Sequence, residues 1–110
     1  MKLTIEALQA YLADHYCGRA TEQSMFMKLV EEIGEVAEVL NKRAGRKASE
    51  DVDLQAQLGA ELADMMHYIV AIAALNDIDL SSAIVEKDRS AAIKYHHTTN
   101  LETFLSEHTL

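Results

Sequence analysis

The chain has no proline, no tryptophan, one cysteine and four glycines in 110 residues. Without proline, no backbone donor is missing from a helix interior, and with so few glycines there are few conformational breaks. Cys17 has no second cysteine to pair with, so an internal disulfide is excluded and a reducing, cytoplasmic setting is expected. Basic charge is scarce as well: 10 Lys and Arg against 18 Asp and Glu leave a formal net charge of −8. A nucleic-acid polymer is therefore not an expected partner, because binding its backbone requires a basic face. A nucleotide stays possible, because a metal ion can reverse the local charge. Long apolar runs are also missing. The longest, Tyr68 to Leu75, is far too short to span a bilayer, and Glu6 interrupts the apolar run after Lys2. Neither a signal peptide nor a membrane partner is expected.

What is abundant is Ala, Leu, Glu and Met, which favour helix. A chain of this length suits one domain with a modest core, which oligomerisation would supplement. Leu3, Ile5, Leu8, Tyr11 and Leu12 recur at roughly helical spacing, with Thr4 placed to cap them and Gly18 to stop them. This segment reads as a packing helix; Tyr11, His15 and Tyr16 are its candidates for lining a pocket. Thr21 caps a second helix predicted to run to about Ala44 and to end at Gly45. Its packing stripe is expected at Phe26, Leu29, Val30, Ile33, Val36, Ala37 and Leu40. At about 100° per residue, Lys28, Glu31, Glu32, Glu35 and Glu38 gather on the opposite side. Gly34 costs about 1 kcal/mol against alanine inside a helix, so it is expected to let something approach closely.

Residues 45–53 are polar and read as a mobile loop, with Asp53 the cap of a third helix from about Leu54 to Leu75. Leu54, Leu58, Leu62, Met65, Ile69 and Ile72 form its stripe. A turn at residues 76–79 leads to a fourth helix capped by Asp79, with Leu80, Ala83, Ile84, Ala91 and Ile93 among its apolar positions. Leu101, Phe104 and Leu105 predict one short docking helix. The fold class is all-α.

The chemistry lies in acids. Glu61 falls inside the third helix's apolar stripe, within roughly 20–40° of Leu54, Met65 and Ile72. An isolated charge there would cost several kcal/mol, so it must be neutralised, paired with a base or bound to a metal. Asp64 lies on its shoulder. Residues three apart on a helix point the same way, which pairs Glu32 with Glu35 and Glu61 with Asp64. Inward carboxylates from two packed helices can share a small ion, and oxygen-only ligands suit Mg²⁺ or Mn²⁺ before Zn²⁺. Taken alone, Glu31, Glu35 and Glu38 read as a solvated acidic face. A di-iron bundle is disfavoured, because Asp64-x-x-His67 occurs once with no second copy. His67 reads as a surface or satisfied histidine and Cys17 as a small buried or half-buried residue. There is no phosphate-binding glycine loop and no serine nucleophile elbow.

Glu31-Glu32-x-x-Glu35, a gap, then Glu61-x-x-Asp64 resembles the signature of the MazG-type all-α nucleoside triphosphate pyrophosphohydrolases. Lys28-Leu29-Val30, residues 62–69, Ile78-Asp79-Leu80, Glu86-Lys87 and Lys94-Tyr95 agree, so the resemblance spans about residues 25–95. It implies one domain over residues 1–110, with four main helices in an antiparallel bundle-like arrangement completed by oligomerisation into a homodimer or homotetramer. It implies Mg²⁺-dependent cleavage of a nucleoside triphosphate between its α and β phosphates, giving the monophosphate and pyrophosphate. By position, Glu32, Glu35, Glu61 and Asp64 would hold the metal. Glu31 or Glu38 would take a further ion or orient the water. Lys28, Lys87 and Tyr68 would contact substrate. Ser90 stands where relatives often carry Asn, and His96 where they carry Pro. Two alternatives remain: phosphoribosyl-ATP pyrophosphohydrolase activity in the same kind of fold, or a non-catalytic helical module whose acids bind a structural cation.

Overall fold

The computed structural model describes residues 1–45 and 53–108, so most of the expected 45–53 loop lies outside the described residues. Among the described residues five helices follow one another: α1 (Ile5–Tyr16), α2 (Glu22–Arg43), α3 (Leu54–Leu75), α4 (Leu80–Lys94) and α5 (Leu101–Glu107). Each starts where a short polar side chain accepts a backbone hydrogen bond that the first turn would otherwise leave unmade. Thr4 accepts from Ala7, Asp53 from Ala56, Asp79 from Ser82 and Asn100 from Thr103. Thr21 and Ser24 form a reciprocal capping box. These backbone and side-chain bonds from Ser82 hold the Asp79 carboxyl below its ordinary pKa.

The expected stops at Gly18 and Gly45 adopt left-handed backbone, with φ of +67° and +76°. At the ends of α3 and α4 the same conformation falls on Asp77 (φ +53°) and His96 (φ +57°). There the chain bends back so that the Ile78 and His97 amides donate to the Ala73 and Ala92 carbonyls.

The principal packing pairs are α2 with α3, α1 with α3, α1 with α4 and α4 with α5. α3 is therefore the central helix. By length and composition alone it is apolar enough to cross a membrane, but α1 and α2 cover it on two sides. Leu12, Met25, Val70, Ala71 and Ala74 form the buried core where the three meet. Met25 lies with residues 70–74 while Glu32, further along α2, meets Glu61, so α2 and α3 run antiparallel. Gln9 ties α1 to the α3–α4 turn: its amide donates to the Ile78 carbonyl and its oxygen accepts from the Leu80 amide. Asp88 accepts from the Leu101 amide at 2.6 Å, and Arg89 joins Glu86 and Glu102, so α5 is held on α4.

Two helix faces differ from expectation. The face of α2 turned to α3 carries Met25, Leu29, Glu32, Val36 and Val39, whereas Phe26, Val30, Ile33 and Leu40 are exposed. α2 has two apolar stripes about 95° apart, and α3 takes the one whose middle is Glu32. Leu62, placed in the α3 stripe, is exposed as well. Cys17 is also exposed, because it follows the last turn of α1 and lies on no packed face. Gly34 has no neighbour within 4 Å of where a Cβ would stand, so nothing among the described residues makes the close approach expected there.

Candidate metal centre

The α2–α3 pairing brings the two acidic motifs together. Glu32 is turned into the seam by the packing of Leu29 and Val36 on either side of it, and Glu61 comes up from α3 between Leu58 and Met65. Glu32, Glu61 and Asp64 each place a carboxylate oxygen within 4.8 Å of the others. Glu35, one turn along α2, adds its charge to Glu61 and also lies within hydrogen-bonding reach of it. The four acids paired by helical spacing are thus one group, and the expectation that put Glu32 opposite the packing face is corrected.

The electrostatics are those of acids crowded together without a base. The Glu61 carboxyl is pushed up to about 7. The largest cause is a proton shared with Glu32; withdrawal from water follows, then repulsion by the charges of Glu35 and Glu32. One oxygen of Glu32 and one of Glu61 (both Oε2) are buried with no hydrogen-bond partner among the described residues. A buried carboxylate oxygen without a partner costs more than almost any other polar group. The donor set answers the chemistry of a hard divalent cation: oxygen only, anionic, converging from two rigid helices. The residues fit such an ion.

The remaining candidate residues are placed as follows. Glu31 and Lys28 pair across 3.7 Å on the exposed face of α2, and Glu38 pairs with Lys42 at the same distance. Pairs of this kind contribute about 0–1 kcal/mol and stay available to a ligand. Tyr68 is half-buried, packs on the core and meets the His67 ring edge-on at 5.0 Å. Lys87 is exposed on α4; among the described residues, no hydrogen bond or ion pair joins it to an acid. His67 is satisfied, as expected: its Nε2 lies 2.7 Å from the Tyr16 hydroxyl. Burial, then the neighbouring Tyr68 and Tyr11, raise the Tyr16 hydroxyl, which stays protonated at neutral pH. This bond ties α1 to α3 one turn beyond Asp64. Helical spacing could have shown that Tyr16 and His67 each face a partner helix, but not that they meet.

An antiparallel helix pair with four converging carboxylates, in an all-α chain, defines a class of acid-lined helical domains. The chain belongs to the MazG nucleotide pyrophosphohydrolase domain family, whose sequence model matches residues 20–91, well over half of its length. The match contains α2, α3 and most of α4, and so all four acids. No curated relative matches the chain significantly. Membership carries nucleotide pyrophosphohydrolase activity in general terms and confirms the all-α fold.

Proposed function

We propose that this domain, taken as residues 1–110, hydrolyses (deoxy)nucleoside triphosphates at the α–β phosphate bond with Mg²⁺, or Mn²⁺ in its place. Water adds across the bond, giving a nucleoside monophosphate and pyrophosphate. The observation that carries this reading is the pair of buried, unpartnered oxygens on Glu32 and Glu61, inside the family's matched region. Glu32, Glu35, Glu61 and Asp64 hold the cation. Bound there, it offsets the repulsion between phosphates and acids and lowers the pKa of the attacking water. Glu31 and Glu38, on the outer side of α2, orient that water or take a second ion. Lys28 neutralises phosphate charge at the edge of the acid group, Lys87 does so from α4, and Tyr68 contacts the nucleoside. The working unit is a homodimer or homotetramer, and its role is clearance of aberrant nucleotides from the cytoplasmic pool.

The test is pyrophosphate release from canonical and modified dNTPs and NTPs, with and without Mg²⁺ or Mn²⁺. Metal-dependent pyrophosphate release that ranks the bases supports the reading. Orthophosphate release would place the cut at another bond and overturn it. Release from phosphoribosyl-ATP alone would move the assignment to that substrate. No release from any of them, with cation binding intact, would leave a non-catalytic module.

A further inference from the structure

Going round α3 at about 100° per residue, Glu61, Tyr68, Asp64 and His67 follow one another over about 120°. Tyr68 therefore shares the face of the acids, one turn beyond Asp64 and about 6 Å further along the axis. That is within reach of a nucleoside whose phosphates lie at the acids. The Tyr68 side chain is half-buried, yet its hydroxyl has no hydrogen-bond partner among the described residues.

What stands against the Tyr68 ring is another ring. His67 meets it edge-on, with centroids 5.0 Å apart and planes at 74°. On its other side His67 is edge-on to Tyr16, at 5.7 Å and 87°, and its Nε2 lies 2.7 Å from the Tyr16 hydroxyl. One imidazole thus stands between two tyrosines. The χ2 torsion of histidine is soft, so ring contact alone would leave its plane loosely set. The hydrogen bond selects one plane, the one edge-on to Tyr68. Tyr16 is itself well placed to do this: it packs on the core, and the His15 ring meets it edge-on at 4.8 Å. The junction of α1 with α3 is already made by Leu12 against Val70, Ala71 and Ala74, so packing alone does not call for this bond. Tyr16 also lies on α1, outside the residues 20–91 that the family's model matches.

We propose that Tyr16 and His67 are positioning residues for nucleoside recognition: the Tyr16 hydroxyl fixes the His67 ring, and that ring holds Tyr68 in the orientation that meets the nucleoside. The inference rests on the reading that Tyr68 contacts the nucleoside, and it adds a device that reaches the site from α1.

Calorimetric titration of the full chain tests it. The probes are α,β-methylene deoxynucleoside triphosphates with Mg²⁺, which cannot be cut by hydrolysis at the α–β link, and inorganic triphosphate, which has no nucleoside. Tyr16→Phe and His67→Ala are each expected to weaken the nucleotide analogues about three- to tenfold, the worth of one hydrogen bond or aromatic pair, and to leave inorganic triphosphate within about twofold of the wild type. Tyr68→Leu keeps apolar packing and is expected to weaken the analogues at least as much; adding Tyr16→Phe to it should weaken them no further. If His67→Ala loses its helical circular dichroism, Tyr16→Phe, which removes one hydroxyl, decides. An equal loss for inorganic triphosphate would make the pair a structural tie only. A further loss in the double variant would mean that Tyr16 does not act through Tyr68. Either result overturns the proposal, as does unchanged binding by Tyr16→Phe, or a wild type that binds the analogues no better than inorganic triphosphate. Pyrophosphate release is assayed separately on cleavable substrates. The expected binding pattern without release contradicts the proposed hydrolysis and leaves the positioning role standing; release with binding unmoved by Tyr16→Phe does the reverse.

Discussion

Glu61 holds its proton to about pH 7 because Glu32 shares it, burial disfavours the charge, and Glu35 repels it. The ordinary value is 4.5, so the folded state binds this proton more tightly than the unfolded chain does. Its contribution to stability is complete below about pH 4.5 and is lost as the pH rises through about 7. In chelator, the melting temperature should therefore fall between pH 5 and pH 8. Glu61→Gln, which keeps the shape and cannot ionise, should flatten that fall. An equally steep fall in the variant would assign the effect to another group. The same substitution should cut pyrophosphate release by at least about 100-fold, since losing a ligand is worse than losing one of its outer supports, which costs about 10–100-fold. Tyr16→Phe removes the hydrogen bond to His67, and urea unfolding should show a loss of about 1 kcal/mol. No change would mean that water replaces the hydroxyl.

Helix starts were readable from the sequence because capping is local. Thr4, Thr21, Asp53 and Asp79 each act on an amide three residues away, so no tertiary information is needed to find them. Thr21→Ala should cost about 1 kcal/mol, measured by thermal melting; no loss would show that Ser24 compensates alone. The packing face of α2 was not readable in the same way. Two apolar stripes share that helix, and periodicity locates both without telling which one the chain's own α3 takes. The stripe expected from sequence spans both: its Leu29 and Val36 lie on the buried face, which has Glu32 at its centre, while its Phe26, Val30, Ile33 and Leu40 lie on the exposed one. On α3, Glu61 is half-buried in the seam, as its place in the apolar stripe implies, because helices on two sides leave few positions for a charge. Its partner Asp64 followed from spacing. That Glu32 and Glu61 meet required the register of the hairpin, which the described residues supply and the sequence does not. The turn after α3 is legible in residues 76–79, but that left-handed backbone falls on Asp77 and His96 is not, because it is rarer at these residues than at glycine.

Taken whole, the chain is a row of paired helices with a small core. Among the described residues, Leu12 and Val70 are the largest side chains fully out of water, and both sit where α1 meets α3. Leu12→Ala should cost about 2–5 kcal/mol, a large share of what a domain this size has to lose. A loss below about 1 kcal/mol would mean that the α1–α3 junction is not what holds the fold. The acid group lies on the other flank of α3, on the seam with α2, so α1 supports the site from behind. This division explains how an open chain can still present four carboxylates in fixed relation: two helices of 22 residues each hold them through Leu29, Val36, Leu58 and Met65.

The central claim is that the buried Oε2 atoms of Glu32 and Glu61 have no hydrogen-bond partner among the described residues because a divalent cation is theirs. Titrating Mn²⁺ into the chain at pH 8 and following the free-ion signal by electron paramagnetic resonance tests it most directly. The account predicts saturable loss of the signal for the wild type and for Lys87→Ala, competition by Mg²⁺, and little or no loss for Glu61→Gln. Equal binding by the wild type and Glu61→Gln, or binding by neither, would contradict it.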